Sequence, residues 1–285
     1  MTGDKQLLAV YGLKYNPFEP DIPTEDLWSP AGVQAFCSRV ARQSRAGGFA
    51  LIEGETGLGK SKLLQLIDQY LGHRGEAVVG IMERPQSSLS DFYRELGEVF
   101  DVNLTPANRY GGFKALRSRW RAHMQSTLMR PVLLVDEAQE AKTACLNELR
   151  LLSSSRFDSE CLLTTVLCGD SRLSERFRER ALWPLGSRIR TRRLLEPLSG
   201  DELYDFLQHV LERAGAPQLM TEQLQRTLCE HAAGNLRVLT NMCEELLIAG
   251  LEQEQAVLDE QLYFQVFASA PAPKRKKAKS KRNNR

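Results

Sequence analysis

Long hydrophobic runs are missing from this chain of 285 residues, although 42% of them are apolar. The longest stretches, such as Val132 to Val135, fall far short of the ~18 residues that cross a bilayer, so no membrane span is expected. The N-terminus, MTGDKQLLAVYG, has neither an apolar run nor a small-residue cleavage site. It does not read as a secretory leader, and the expected compartment is the cytoplasm. Metal-binding patterns are scarce too. Six cysteines (Cys37, Cys145, Cys161, Cys168, Cys229, Cys243) include no CxxC pair, and four histidines are scattered, which predicts reduced, mostly buried thiols and no Cys/His metal centre. An excess of charge is also lacking overall, with 38 basic against 36 acidic residues. That balance conceals an asymmetry, because Lys274, Arg275, Lys276, Lys277, Lys279, Lys281, Arg282 and Arg285 crowd the last twelve positions and leave an acidic body.

What is present alternates. The residues predict a helix near 30–46, a strand 48–52, a helix 60–72, a strand 77–81, a helix 88–101, a loop 103–112 and a helix 113–128. A strand 131–136, a helix 143–154, a strand 161–168 and a strand 188–194 follow. Short apolar strands between helices imply an α/β fold with a parallel sheet covered on both faces. Beyond it come helices alone, about 200–214, 221–232, 235–250 and 256–267. The expected organisation is an extended N-terminal arm (1–28), an α/β core (29–196), a small helical lid (197–267) and a basic tail (268–285). The tail has no large apolar side chain and is expected to be disordered when free.

The chemistry is concentrated after the first strand. Gly54-Glu55-Thr56-Gly57-Leu58-Gly59-Lys60-Ser61 fits GxxxxGK[ST] between a strand and a helix, the context of a phosphate-binding loop. Gly54, Thr56, Gly57 and Gly59 would shape the cradle of backbone N–H groups. Lys60 would neutralise the β- and γ-phosphates of ATP, and Ser61 would hold Mg²⁺. Pro131-Val132-Leu133-Leu134-Val135-Asp136-Glu137 supplies the complementary acids at a strand end. Asp136 would order the Mg²⁺ shell and Glu137 would act as general base on the attacking water.

The blocks YGLKYNPFEP, GFALIEGETGLGKSKLL, VLLVDEAQE, LNELRLLSSSRFD, CLLTTVLCGDSRL, SRIRTRRLLEPLSGDELYDFLQHVLERAG and AAGNLRVLTNMCEELL occur in this order over residues 9–250. They resemble the ExeA-like branch of AAA+ ATPases, a branch similar to the transposition ATPases MuB, TnsC and TniB. The resemblance implies a five-stranded AAA+ core, a helical lid and ATP-driven assembly into rings or helical filaments. By position, Arg188 matches the arginine finger that reaches a neighbour's γ-phosphate, with Arg190 as its rival, and Arg237 matches the lid arginine called sensor 2. The sequence departs from the family at sensor 1, where Asp170 follows Gly169 in place of an uncharged residue. It departs again at Glu140 and Ser154, where the family has Asn. An acid near a γ-phosphate repels it, so slow hydrolysis is expected.

Basic residues offer a surface for nucleic acid. In the helix after the loop, Phe113, Leu116, Trp120 and Met124 form an apolar stripe, with Lys114, Arg117 and Arg121 beside it. That row is either a solvated shoulder or a phosphate-tracking surface on DNA. The tail cations, Lys274 to Lys277 among them, would make only sequence-blind contacts. The favoured reading is an oligomeric, DNA-associated ATPase that regulates transposition by recruiting or activating a transposase. The alternatives are an ExeA-like secretion or pilus-assembly ATPase, a nucleotide-gated scaffold, and a defence-system ATPase. The secretion pattern continues into a membrane span and a wall-binding region, which the hydrophilic residues 268–285 do not resemble.

Overall fold

A computed structural model describes residues 3–83, 85, 88–104, 108–156 and 159–267 of the chain. The basic tail and part of the 103–112 loop lie outside the described residues. Five parallel strands, β1 (Gly48–Gly54), β2 (Ala77–Met82), β3 (Arg130–Val135), β6 (Thr164–Gly169) and β7 (Ile189–Leu195), form one sheet in the order β2-β3-β6-β1-β7. Two further strands of two residues each, β4 (Ser154–Ser155) and β5 (Glu160–Cys161), make a small antiparallel hairpin. The expected strand 161–168 is therefore divided, with its start given to the hairpin and its body to β6.

Alternation along the central strands splits the core into two layers. Phe49 and Leu51 of β1 and Leu133 and Val135 of β3 join one apolar cluster, which takes in Phe92, Leu116 and Trp120. Ala50, Ile52, Val132 and Leu134 point the other way and pack with Phe36, Val40, Leu64 and Ile67. Both faces are thus covered by helices. The second layer uses α2 (Val33–Ala46) and α3 (Lys60–Arg74). The first uses α4 (Leu89–Val99), α5 (Arg109–Thr127) and α6 (Thr143–Ser153). Helix α5 starts earlier than its apolar stripe, because the Asn108 side chain caps it by accepting from Gly111 N at 2.7 Å. After β6 come two short helices that periodicity did not announce, α7 (Ser171–Arg178) and α8 (Trp183–Gly186).

The lid consists of α9 (Gly200–Ala214), α10 (Glu222–Ala232), α11 (Leu236–Glu252) and α12 (Glu260–Phe267). A capping box opens α9, with Ser199 Oγ accepting from Glu202 N and the Glu202 carboxylate accepting from Ser199 N. The N-terminal arm differs from its expected extended form. Gly3–Tyr11 forms a helix, α1, whose Leu7 and Tyr11 lie in the lid's apolar cluster together with Leu13 and Phe18. Tyr11 donates to the Leu247 carbonyl, and Lys14 N bonds the Ala214 carbonyl at 2.9 Å. Asp26 accepts from Tyr15 and Arg213, and Trp28 meets Phe206 edge to face at 5.7 Å. The arm folds with the lid because its apolar face finds its partner there.

Candidate nucleotide site

All strands of a parallel sheet end on one edge, and in this register Glu53 pairs with Gly169 while Val135 pairs with Leu167. The loop after β1, the acids after β3 and the turn after β6 therefore meet at the carboxyl edge, where ligands bind in open α/β sheets. Gly57 and Gly59 have φ of 87° and 88°, the left-handed region that costs a residue with a Cβ about 1–2 kcal/mol. A Cβ on Gly57 would also collide with Asn235 Oδ1. Lys60 opens α3 and is only 7% exposed, with Nζ folded back to donate to the Gly54 carbonyl at 2.9 Å and the Glu55 carbonyl at 3.2 Å. Ser61 Oγ donates to Asp136 Oδ2 at 2.8 Å, and Asp136 Oδ1 accepts from Glu137 N at 2.8 Å.

The lid touches this loop directly. Asn235 caps α11 through Oδ1, and its Nδ2 donates to the Thr56 carbonyl at 2.9 Å, while Arg237 N bonds the Gly57 carbonyl at 3.2 Å. A cavity of about 710 Å³ lies between loop, arm and lid, lined by Lys60, Ser61, Glu137 and Arg237 and by the aromatic and apolar groups of Phe18, Trp28 and Phe206. Its volume is within the usual range for a small-molecule site. The donor set fits a Mg²⁺-bound nucleoside triphosphate. It combines a lysine, loop glycines that open backbone N–H groups, and a hydroxyl beside a carboxylate. Among the described residues no group of three or more His, Cys, Asp or Glu is placed to hold a metal ion by itself. Mg²⁺, which keeps several waters and shares substrate phosphates, would be held by Ser61 and the Asp136 shell.

The departures at Asp170 and Glu140 are explained together. Asp170 caps α7, and both of its oxygens take hydrogen bonds from Arg172, whose Nη2 lies 2.7 Å from Asp170 and 2.9 Å from Glu140. One guanidinium thus bridges both extra acids. Its hydrogen bonds, and then its charge, hold the Asp170 carboxyl below its ordinary value. The negative charge of Asp170 is thus paired within the chain, by a residue to which the sequence reading gave no role. Asn235, Gln139, Phe18, Trp28 and Phe206 are further site residues that the sequence reading left without a role.

Arg188 lies elsewhere. It precedes β7, at the amino end of the sheet, where Ile189 pairs with Phe49, and its Nη1 donates to the Pro184 carbonyl at 2.5 Å. At ~3.3 Å per residue along a strand, the seven residues of β1 separate this end from the phosphate loop by roughly 20 Å. Arg188 is therefore remote from its own subunit's Lys60. On α5 the stripe of Leu116 and Trp120 is buried as expected. Arg121 pairs with Glu160 at 3.0 Å, Arg117 lies over the Phe113 ring at 4.8 Å and bonds the Leu151 carbonyl, and Lys114 is exposed.

This sheet order, with a phosphate loop after β1, acids after β3 and a helical lid, is the α/β fold of AAA+ P-loop NTPases. Residues 42–177 match the family described as AAA domain. General secretion pathway protein A of Aeromonas hydrophila is 31% identical over 207 residues, which are 71% of this chain and 37% of that protein. The chain thus spans little more than a third of that relative's length. Among solved structures, the ORC2 protein of Aeropyrum pernix in its ADPNP-ADP complexes superposes with a TM-score of 0.69 at 16% identity, over 89% of this chain and 71% of that one. Drosophila ORC bound to DNA gives a TM-score of 0.65 at 15% identity, over 92% and 65%. At such identities the structural likeness shows the fold. No helix among the described residues is long and apolar enough to cross a membrane.

Proposed function

We propose that the chain is a Mg²⁺-dependent ATPase whose ATP-bound subunits assemble as a ring or helical filament on DNA. The observation that carries the reading is the set of Lys60, Ser61 and Asp136 at one strand edge, with Glu137 facing the same cavity under the lid. Lys60 would leave its two loop carbonyls for the phosphate oxygens, and the Arg237 guanidinium, exposed on the cavity wall, would meet them from the lid side. When bound, Mg²⁺ would be held through Ser61 and Asp136 and would supply neutralisation of phosphate charge. Glu137 takes a proton from water as the water oxygen bonds to the γ-phosphorus and the bond to the bridging oxygen breaks. Arg188, too far from its own phosphate loop, would complete the neighbour's site. Hydrolysis would then require assembly.

Within that class the favoured role is regulation of DNA transposition, with a transposase as partner. It rests on the motif resemblance, on the basic tail and on the fold shared with an ORC that binds DNA. A second reading, an ExeA-like secretion or pilus-assembly ATPase, is favoured by the 31% identity to General secretion pathway protein A. Sedimentation of the full chain with a non-hydrolysable ATP analogue, with and without duplex DNA, separates the two. DNA-dependent oligomers with DNA-stimulated turnover support the first. Eight engaged tail charges would give a log–log salt slope of up to about −7 in affinity, and removal of residues 272–285 should flatten it. Nucleotide-driven oligomers that ignore DNA at ~50 mM salt remove the first reading, since electrostatic binding is strongest at low salt.

A further inference from the structure

We propose that Gln139 is a positioning residue for Glu137, tying the general base to the backbone of Asp170 at the end of β6. The inference rests on the ATPase reading above and adds a residue to it. Glu137 has a left-handed backbone, φ 47° and ψ 39°, and a turn of 3₁₀ helix, Ala138–Glu140, follows at once. A non-glycine residue in this region stores strain of order 1–3 kcal/mol, and such strain clusters at functional positions. The turn brings the side chain of residue 139 back alongside that of residue 137. Gln139 is 7% exposed, and its Nε2 donates to Glu137 Oε2. Its Oε1 accepts from Asp170 N at 3.3 Å.

Only one orientation of the amide satisfies both neighbours. Asp170 N–H can only donate and must face the amide oxygen, so the NH₂ group faces the carboxylate, which can only accept. Two features hold the amide in place. The Gln139 carbonyl accepts from Arg176 Nη1 at 2.6 Å, and Arg176 also reaches Thr143 Oγ1 at 3.2 Å. A Cβ on Gly169 would stand 2.5 Å from Gln139 Oε1, so the absence of a side chain there makes room for the amide. Glu137 itself is exposed to the cavity, and this amide fixes one of its oxygens while the other can address a water. Gln139 is joined to the strand end where Arg172 collects Asp170 and Glu140. A change in the backbone of Asp170 is thereby passed to the base through one side chain.

The test uses the full chain and two variants. Gln139→Leu removes both bonds. Gln139→Glu keeps an acceptor for Asp170 N–H and sets a carboxylate against Glu137. Both should bind a fluorescent ATP analogue within about threefold of wild type and lose roughly ten- to a hundredfold in kcat, the range for a lost hydrogen bond to a charged group. In the Glu137→Gln background, where no carboxylate remains to be aimed, Gln139→Leu should change the residual rate less than about threefold. Residue-level hydrogen exchange without nucleotide gives a readout independent of turnover. The Asp170 amide should lose protection in Gln139→Leu and keep it in Gln139→Glu. Equal rate losses in both backgrounds, affinity falling in step with rate, or unchanged exchange at Asp170 would overturn the inference. If wild type turns over ATP and Gln139→Leu matches it, the inference alone fails. If wild type, assembled with ATP and duplex DNA, binds ATP without turning it over, the ATPase reading fails and takes the role of Gln139 with it.

Discussion

Replacing Lys60 with alanine removes the lysine charge from the phosphate loop. Its ammonium is held inside the loop by the carbonyls of Gly54 and Glu55, and the residue is only 7% exposed, so little water can take over its charge. A unit positive charge about 4 Å from a phosphate oxygen, at an effective dielectric constant near 20, contributes about 4 kcal/mol. Lys60→Ala should therefore raise the Kd for Mg²⁺-ATP roughly a thousandfold. Thermal shift and calorimetry read the same quantity. With nucleotide at 100 times the wild-type Kd, ligand stabilises the folded state by about 2.7 kcal/mol, and the wild-type Tm should rise by about 5–10 °C. At that concentration the variant would be mostly unliganded and its Tm should barely move. Because the ammonium is buried, the difference should change little between ~50 and ~300 mM salt. An affinity within about threefold of wild type, with Tm still rising on ATP addition, would refute the placement of the phosphates at this loop.

Much of this arrangement is legible in the residues, and the reason is physical. Strands β1 and β3 are buried on both faces, so they read as unbroken apolar runs, and the phosphate loop and acids follow them at fixed offsets. The lid helices show a period of 3.6 and capping residues at Ser199, Thr221 and Asn235. Helix α1 was not legible. Its apolar residues make sense only against the lid, and Tyr11 meets Leu247 at a separation of 236 residues. The hairpin of β4 and β5 is too short for any period to register. At the site, residues at motif positions can be named from the sequence, whereas residues whose role depends on whom they meet cannot. Arg172 is an unremarkable surface-type residue until the fold places Asp170 and Glu140 on either side of it. Gln139 lies inside a recognised block, yet its partners Glu137 and Asp170 belong to different strand ends.

Glu137→Gln should keep ATP affinity within a few-fold and lower turnover by about a hundredfold or more, since a positioned base contributes about 10²–10⁴; native turnover in a coupled phosphate-release assay would show that Glu137 is not the base. Arg188→Ala should leave nucleotide affinity intact and lower the hydrolysis of assembled protein, since Arg188 lies at the amino end of β7, away from the phosphate loop of its own chain; native turnover in the assembled variant would exclude the proposed role between subunits. The remaining expectation concerns Asp26, which fastens the arm to the lid. The Tyr15 hydroxyl and then the Arg213 guanidinium hold its carboxyl below its ordinary 3.8. A carboxyl lowered by folding stabilises the folded state above its unfolded value, and that contribution is lost as pH falls through the folded one. Wild type should therefore exceed Asp26→Asn in stability near neutral pH, with the gap closing as the pH drops below 3.8. Urea titrations followed by tryptophan fluorescence suit the measurement, because Trp28 packs on Phe206 where arm and lid meet. A gap that stays constant from pH 7 to about 3, or widens toward acid, would mean that the ionised carboxylate does not join the two.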